Sequence, residues 1–370
     1  MNHARRRWFP LGVVAAASLS HGSGVRADGF PGYQYLHAFN LPAGASVFDV
    51  LIDGRLIVLV GADVYVETAA DSHSFDQTGT LPAADLPSFG AAFIRVSPTG
   101  TKIAIGNNGG ASFSDPQVGI FNVATLVGTW FNAGHFDGEW IDDTRLALTA
   151  GDFGSPSVVT VLDTISPNPL SPINTIIVDN IGGASGGIAF DSAGNLYTGN
   201  GFQLTVASGT GAVKAFANAA WTVALGGGDP LDFEASGVLI VDVLSAWPLA
   251  FDESGNLIVG GGSSTDSDFV ALVRGSAVTE ALSGMGAADP SDSNEVHRLD
   301  PDPDNINFFY ATYGPTLRHL YVRDGGGPVH TYADVSTIPT VSQWGLTSMT
   351  LLLLTAGTLI IRRSHAGGNV

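Results

Sequence analysis

The sequence predicts an all-β protein, a six-bladed β-propeller, on three observations. The first is a near-duplication. Phe190-Asp191-Ser192-Ala193-Gly194-Asn195-Leu196-Tyr197-Thr198-Gly199-Asn200-Gly201 aligns with Phe251-Asp252-Glu253-Ser254-Gly255-Asn256-Leu257-Ile258-Val259-Gly260-Gly261-Gly262 at an offset of 61, with seven of twelve positions identical. Each half reads as strand, tight turn, strand: Asp and Gly suit the turn, and the apolar flanks pack the strands. The second is a series of four weaker copies. With Gly54, Gly100, Thr144, Gly194, Gly255 and Asn305 as markers, the spacings are 46, 44, 50, 61 and 50 residues, close to the recurrence of propeller blades. The third is a supply of further apolar strand segments after several hairpins, with no helical period in the body.

Taken in order, the chain opens with Arg5-Arg6-Arg7, an apolar stretch over residues 8–19 and Val25-Arg26-Ala27. A basic segment, an apolar segment and a small-residue site make a secretory signal peptide, here residues 1–27, suited to general secretion. The body, residues 28–336, follows. Residues 33–39 are expected to pair with the last blade near His330-Thr331-Tyr332 and close the ring, which removes an exposed edge. Inner hairpins are expected at residues 49–61, 94–106, 140–148, 190–201, 251–262 and 299–310. Third strands are expected at 118–123, 158–163, 269–274 and 320–323, and fourth strands at 213–216 and 278–282. An inserted loop around residues 226–236 accounts for the longest spacing. Seven blades is the alternative, if residues 221–244 form a blade of their own.

Charge narrows the partners. The chain has 34 acidic and 15 basic residues, and six of the basic ones (Arg5, Arg6, Arg7, Arg26, Arg362 and Arg363) lie outside the body. A surface this anionic repels nucleic acid and anionic lipid. There is no cysteine, so no disulfide supports the fold and burial must. About 310 residues suffice for one large core.

Candidate chemistry is sparse. Asp300-Pro301-Asp302-Pro303-Asp304-Asn305 places oxygen ligands at alternate positions, as a calcium loop does. It lacks the glycine at position six, and its twelfth position is Ala311. A proline-stiffened acidic hairpin between the first two strands of a blade is the plainer account, so no cofactor is assigned beyond a calcium candidate at Asp300, Asp302 and Asp304. Glu139, in His135-Phe136-Asp137-Gly138-Glu139-Trp140, would face the central channel from an innermost strand, with Asn200 as a partner. Polarity at a strand end is the alternative role. The histidines His37, His73, His297, His319 and His330 show no metal-ligand spacing and read as surface or cross-strand residues. Glycine-rich stretches at residues 107–110 and 226–228 read as loops, because no helix follows a strand there. No Walker A or H-E-x-x-H motif is present.

The tail, residues 337–363, gives the address. Residues 344–361 carry no charge, and as a helix they would extend about 27 Å, enough to cross a thin bilayer. Trp344 suits the membrane interface, and Arg362 with Arg363 should stay cytoplasmic together with residues 364–370. Everything before Trp344 is then outside. Ile338-Pro339-Thr340-Val341-Ser342-Gln343-Trp344-Gly345, the span and Arg362-Arg363 together resemble the IPTL-CTERM sorting signal recognised by exosortases, with Val341 and Gln343 as mild departures. That resemblance covers the tail alone. It implies an exosortase-type membrane protease as partner, in a Gram-negative cell, and a mature form without its anchor. The body is similar to the broad group of six-bladed propellers with D-x-x-G-N-L turns, the NHL-like and gluconolactonase-like proteins. The latter hold a divalent metal with an inner-strand glutamate, which Glu139 matches in kind. The expectation is an exported, sorted, surface or matrix-associated binding protein without catalysis, whose partners are the secretion machinery and extracellular polysaccharide. A metal-dependent, lactonase-like hydrolase is the alternative.

Overall fold

Six antiparallel sheets follow one another around a ring in a computed structural model that describes residues 30, 32–82, 91–107, 117–151, 157–165, 172–179, 181, 184–202, 213–243, 246–263, 266–299 and 309–335. The signal peptide, the tail and the acidic run Asp300, Asp302 and Asp304 lie outside the described residues.

Strand β1 (Tyr33–Phe39) comes first in the chain and belongs to the last blade. Blade 1 is β2 (Phe48–Val50), β3 (Leu56–Val60), β4 (Asp63–Glu67) and β5 (Phe75–Thr80). Blade 2 is β6 (Ala91–Val96), β7 (Lys102–Asn107), β8 (Gln117–Asn122) and β9 (Gly128–Asn132). Blade 3 is β10 (Asp137–Asp142), β11 (Arg145–Ala150), β12 (Ser157–Asp163) and β13 (Pro172–Asp179). Blade 4 starts with β14 (Ala184–Phe190), β15 (Leu196–Phe202) and β16 (Val213–Phe216). Helix α1 (Asn218–Leu225) and the short β17 (Leu231–Asp232) intervene before its last strand, β18 (Val238–Val241). Blade 5 is β19 (Leu249–Phe251), β20 (Leu257–Ser263), β21 (Asp266–Val273), helix α2 (Gly275–Leu282) and β22 (Val296–Leu299). Blade 6 is β23 (Phe309–Gly314), β24 (His319–Asp324), β25 (Val329–Asp334) and, outermost, β1.

The predicted closure is present. β1 pairs antiparallel with β25 from Tyr33↔Asp334 to Phe39↔Val329. Six apolar clusters, one between each pair of neighbouring blades, hold the ring. Between blades 1 and 2, for example, Ile57, Leu59 and Val64 meet Ile94, Ile103 and Ile105. Between blades 6 and 1, Tyr321 and Val329 meet Phe48 and Val58. Alternating apolar residues on each strand supply both faces, because every sheet is covered on both sides.

Five of the six predicted inner hairpins are found, and the turn chemistry explains the two strongest. In blade 4 the Asp191 carboxylate accepts from the Ala193 and Asn195 amides, the Asn195 side chain and the Tyr197 hydroxyl. In blade 5 Asp252 accepts from the Ser254 and Asn256 amides and the Asn256 side chain. Its fourth donor is the hydroxyl of Tyr33, on the ring-closing strand, at 2.7 Å. Gly194 and Gly255 take φ of 77° and 76°, which a side chain at either position would resist.

Five expectations need correction. The first hairpin of blade 6 is β23 with β24, joined by the Gly314–His319 connection, in place of the one expected at 299–310, so residues 320–323 are a second strand. Residues 213–216 are the third strand of their blade. Residues 278–282 form part of α2, with Ala277, Val278 and Ala281 buried at helical spacing. The interval over residues 221–244 makes no seventh blade. It holds α1 and β17, and β17 pairs in parallel with β13 of the preceding blade. Both helices dock the same way: the Asn195 side-chain oxygen accepts from the Asn218 amide, and that of Asn256 accepts from the Gly275 amide. The duplicated turn therefore also serves as the docking point for a helix start.

Candidate functional site

The inner strands of all six blades end at one mouth of the central channel, around a pocket of about 280 Å³. Five positions in this mouth stand five residues before a repeat marker: Asp49, Arg95, Glu139, Ala189 and Ala250. Thr312 of β23 completes the ring of six. Blades 1–3 thus contribute charge and blades 4 and 5 contribute alanine. The missing bulk on the alanine side, beside Phe190 and Phe251, leaves the space. Glu139 was expected to face the channel and does. Asp49, Arg95 and Thr312 had not been singled out, although lining up the repeat copies five residues before each marker picks out the first two.

The charged half is one connected network. The Arg95 guanidinium donates to Asp137 Oδ1 at 2.8 Å and to the Tyr310 hydroxyl at 2.6 Å, and lies 3.4 Å from Glu139 Oε2. Asp49 accepts from the Val96 amide at 2.7 Å and from the Thr312 hydroxyl at 2.9 Å. Asp137 also accepts from the amides of Gly138 and Ile188, and the Trp140 amide donates to Glu139 Oε1. Blades 6, 1, 2, 3 and 4 are stitched together through these groups. Three carboxylates surround one guanidinium, so full ionisation would leave excess negative charge in a confined space. Burial raises Asp49 and Asp137 above the usual carboxylate range, against the pull of Arg95. Glu139 is pushed up to about 8 by burial, with Arg95 opposing and Asp49 and Asp137 adding to the rise. Its side chain keeps 28% of its surface open to the channel, so water there tempers the effect.

This predicts a pH dependence with a definite sign. The folded Glu139 holds its proton up to about pH 8, whereas the unfolded chain releases it near 4.5. Stability is therefore fullest below the lower value and falls as pH rises through that window. Glu139→Gln, neutral throughout, removes this share of the slope. Urea midpoints measured at about pH 5 and about pH 9 should show the variant gaining on the native chain at the higher pH. An unchanged difference would show that Glu139 does not titrate in that interval.

Arg95 stands beside Glu139 where a metal-holding site would need a cation. Asn200, the partner expected for Glu139, lies on β15 opposite Ser185, at the other end of blade 4 from Phe190. Asn200 is fully buried, and the structure does not bring it to the mouth.

A second constellation was missed by sequence reasoning, which left His37 and His73 as surface or cross-strand residues. His37 lies on β1 of blade 6, and His73 lies between β4 and β5 of blade 1. Their Nε2 atoms are 2.8 Å apart, and Asp71 Oδ1 is 3.2 Å from His73 Nε2 and 3.6 Å from His37 Nε2. Nothing in the spacing announces it, because the residues meet only across the closure of the ring.

No family model matches the sequence, and no curated protein matches it. Among solved structures, the chain is similar to one in the crystal structure of the mitotic checkpoint complex. The identity is 14% and the TM-score 0.48, over 82% of this chain and 94% of that one. It is also similar to the C-terminal WD40 domain of Sif2, at 9% identity and a TM-score of 0.43, over 81% of this chain and 98% of that one. At these values neither likeness carries an argument, and the fold stands on the six sheets of this chain.

Proposed function

We propose that this chain is an exported β-propeller, held for a time by its C-terminal span and handled by an exosortase-type protease. It then serves as a non-catalytic binding protein at the cell surface or in the extracellular matrix. The observation that carries the binding role is the asymmetric channel mouth. On one side the carboxyl groups of Asp49, Asp137 and Glu139 are held in place by Arg95, Thr312 and backbone amides, and Asp49 and Glu139 line the pocket. On the other side the alanines leave room beside Phe190 and Phe251. A polyhydroxylated ring would donate hydrogen bonds to the first side and rest its apolar face on the second. Extracellular polysaccharide is the ligand class that fits, and the acidic, cysteine-free body suits that setting.

Intact mass of the protein from the cell envelope and from the medium tests the route, and retention on immobilised extracellular polysaccharide tests the role. Loss of the residues beyond about Thr340, with retention weakened at least about tenfold by Glu139→Ala, is the expected result. A retained tail would reduce the sorting motif to an anchor, and unchanged retention would remove the channel mouth from the binding role.

A further inference from the structure

We infer that His37, Asp71 and His73 form a binding site for a divalent transition-metal ion of the zinc class, bridging the first and last blades where the ring closes.

The three ligand atoms form a triangle with sides of 2.8, 3.2 and 3.6 Å. Its circumscribed circle has a radius of about 1.9 Å, shorter than the roughly 2.0–2.1 Å of zinc–nitrogen and zinc–oxygen bonds. A point at that bond length from all three atoms therefore exists, about 0.8 Å out of their plane. That is close to where a tetrahedral ion sits above three of its ligands. The fourth position points away from the triangle, and the three side chains keep 27–42% of their surface open, so an ion and a water can reach it. Two imidazole nitrogens and one carboxylate oxygen suit zinc and its neighbours and disfavour calcium, which takes oxygen ligands.

The surroundings hold the ligands ready. The His73 ring stacks on Phe39 at 4.2 Å between centroids, and its amide donates to Glu67 Oε1 at 2.6 Å. Asp71 and His73 both take left-handed φ, 61° and 54°, a conformation that costs a non-glycine residue energy and recurs at ligand clamps. The turn spends that strain twice within three residues to aim both side chains at His37. A simple hydrogen-bonded cluster is the competing account. It leaves two facing Nε2 atoms to share one proton, and it offers no use for a second strained residue.

The test uses the full chain, without a histidine tag, freed of metal by EDTA and dialysed. Zinc sulfate titrated by calorimetry should bind with one equivalent at this site and raise the thermal midpoint with the logarithm of its excess over the dissociation constant. Cobalt(II) on the same protein should give the intense visible absorption of a tetrahedral ion with nitrogen ligands. His37→Asn should weaken zinc binding by more than the roughly 10–100-fold that losing an outer-shell partner costs. His73→Asn and Asp71→Asn, whose new side chain tolerates left-handed φ, should do the same. They also guard against a His37 variant that fails to fold, as judged by circular dichroism without metal. Folded protein that binds no zinc would overturn the assignment. So would zinc binding that the three substitutions leave unchanged.

Discussion

Arg95→Met is expected to cost the fold about 3–5 kcal/mol, the usual penalty for removing one partner of a buried ion pair. The guanidinium is almost fully enclosed, and Asp137, fully buried, holds its Oδ1 2.8 Å away. Without Arg95, Asp137 must stay charged in a closed space or take up a proton, and Tyr310 and Glu139 lose the same partner. Methionine fills much of the volume, so the effect reports charge more than cavity. In thermal unfolding of the full chain the midpoint should fall by roughly five to eight degrees. The double variant Arg95→Met/Asp137→Asn should recover part of the loss, because it no longer strands a carboxylate. A single-variant loss below about 1 kcal/mol would mean that the channel is wet enough to screen these charges.

The second large effect is expected at Asp252. Asp252→Ala removes the acceptor of four hydrogen bonds, three within its own turn and one from Tyr33 of the ring-closing strand. A cost of about 3–4 kcal/mol is expected, since bonds to a charged acceptor contribute about 1.5–3 kcal/mol each and are not additive. Blade 4 supplies an internal control. Asp191→Ala loses the same turn, but its fourth donor is Tyr197 of its own blade. Tyr33→Phe alone should cost about 1.5–3 kcal/mol. Combined with Asp252→Ala it should add little, whereas combined with Asp191→Ala it should add in full. Urea unfolding of the five variants beside the native chain decides the matter. Full additivity in the Asp252 pair would show that the ring-closing strand does not depend on this bond.

What the sequence disclosed depended on how local the cause was. Hairpins with an Asp-x-x-Gly turn were readable because their hydrogen bonds close within four residues. Residues 33–39 were readable as ring-closing because a ring of blades needs its edge covered. The sixth hairpin was misplaced because Asp300-Pro301-Asp302-Pro303-Asp304-Asn305 imitates such a turn. The true hairpin has no glycine at its left-handed position, and Arg318 takes a φ of 56° there. Helix α2 was hidden because Val278 and Thr279 favour strands in isolation, while the docking contact that fixes it comes from Asn256, 19 residues away. The channel network and the histidine pair were illegible for a different reason. Arg95 lies 42 residues from Asp137 and 215 from Tyr310, and His37 lies 36 from His73. Only the closed ring brings such residues within bonding distance.

The pairing of Tyr33 with Asp334 also fixes the plumbing of the molecule. Both ends of the described chain leave from one corner of one blade, a single strand spacing apart. A tether, a fusion partner or a cleavage scar at either end crowds the same corner and leaves the other five rims free. The two ends could also be joined by a short linker and the chain reopened at another surface turn. Such a circular permutant would keep every sheet, but its last blade would be covalently continuous and the burden of closure would pass to a different seam.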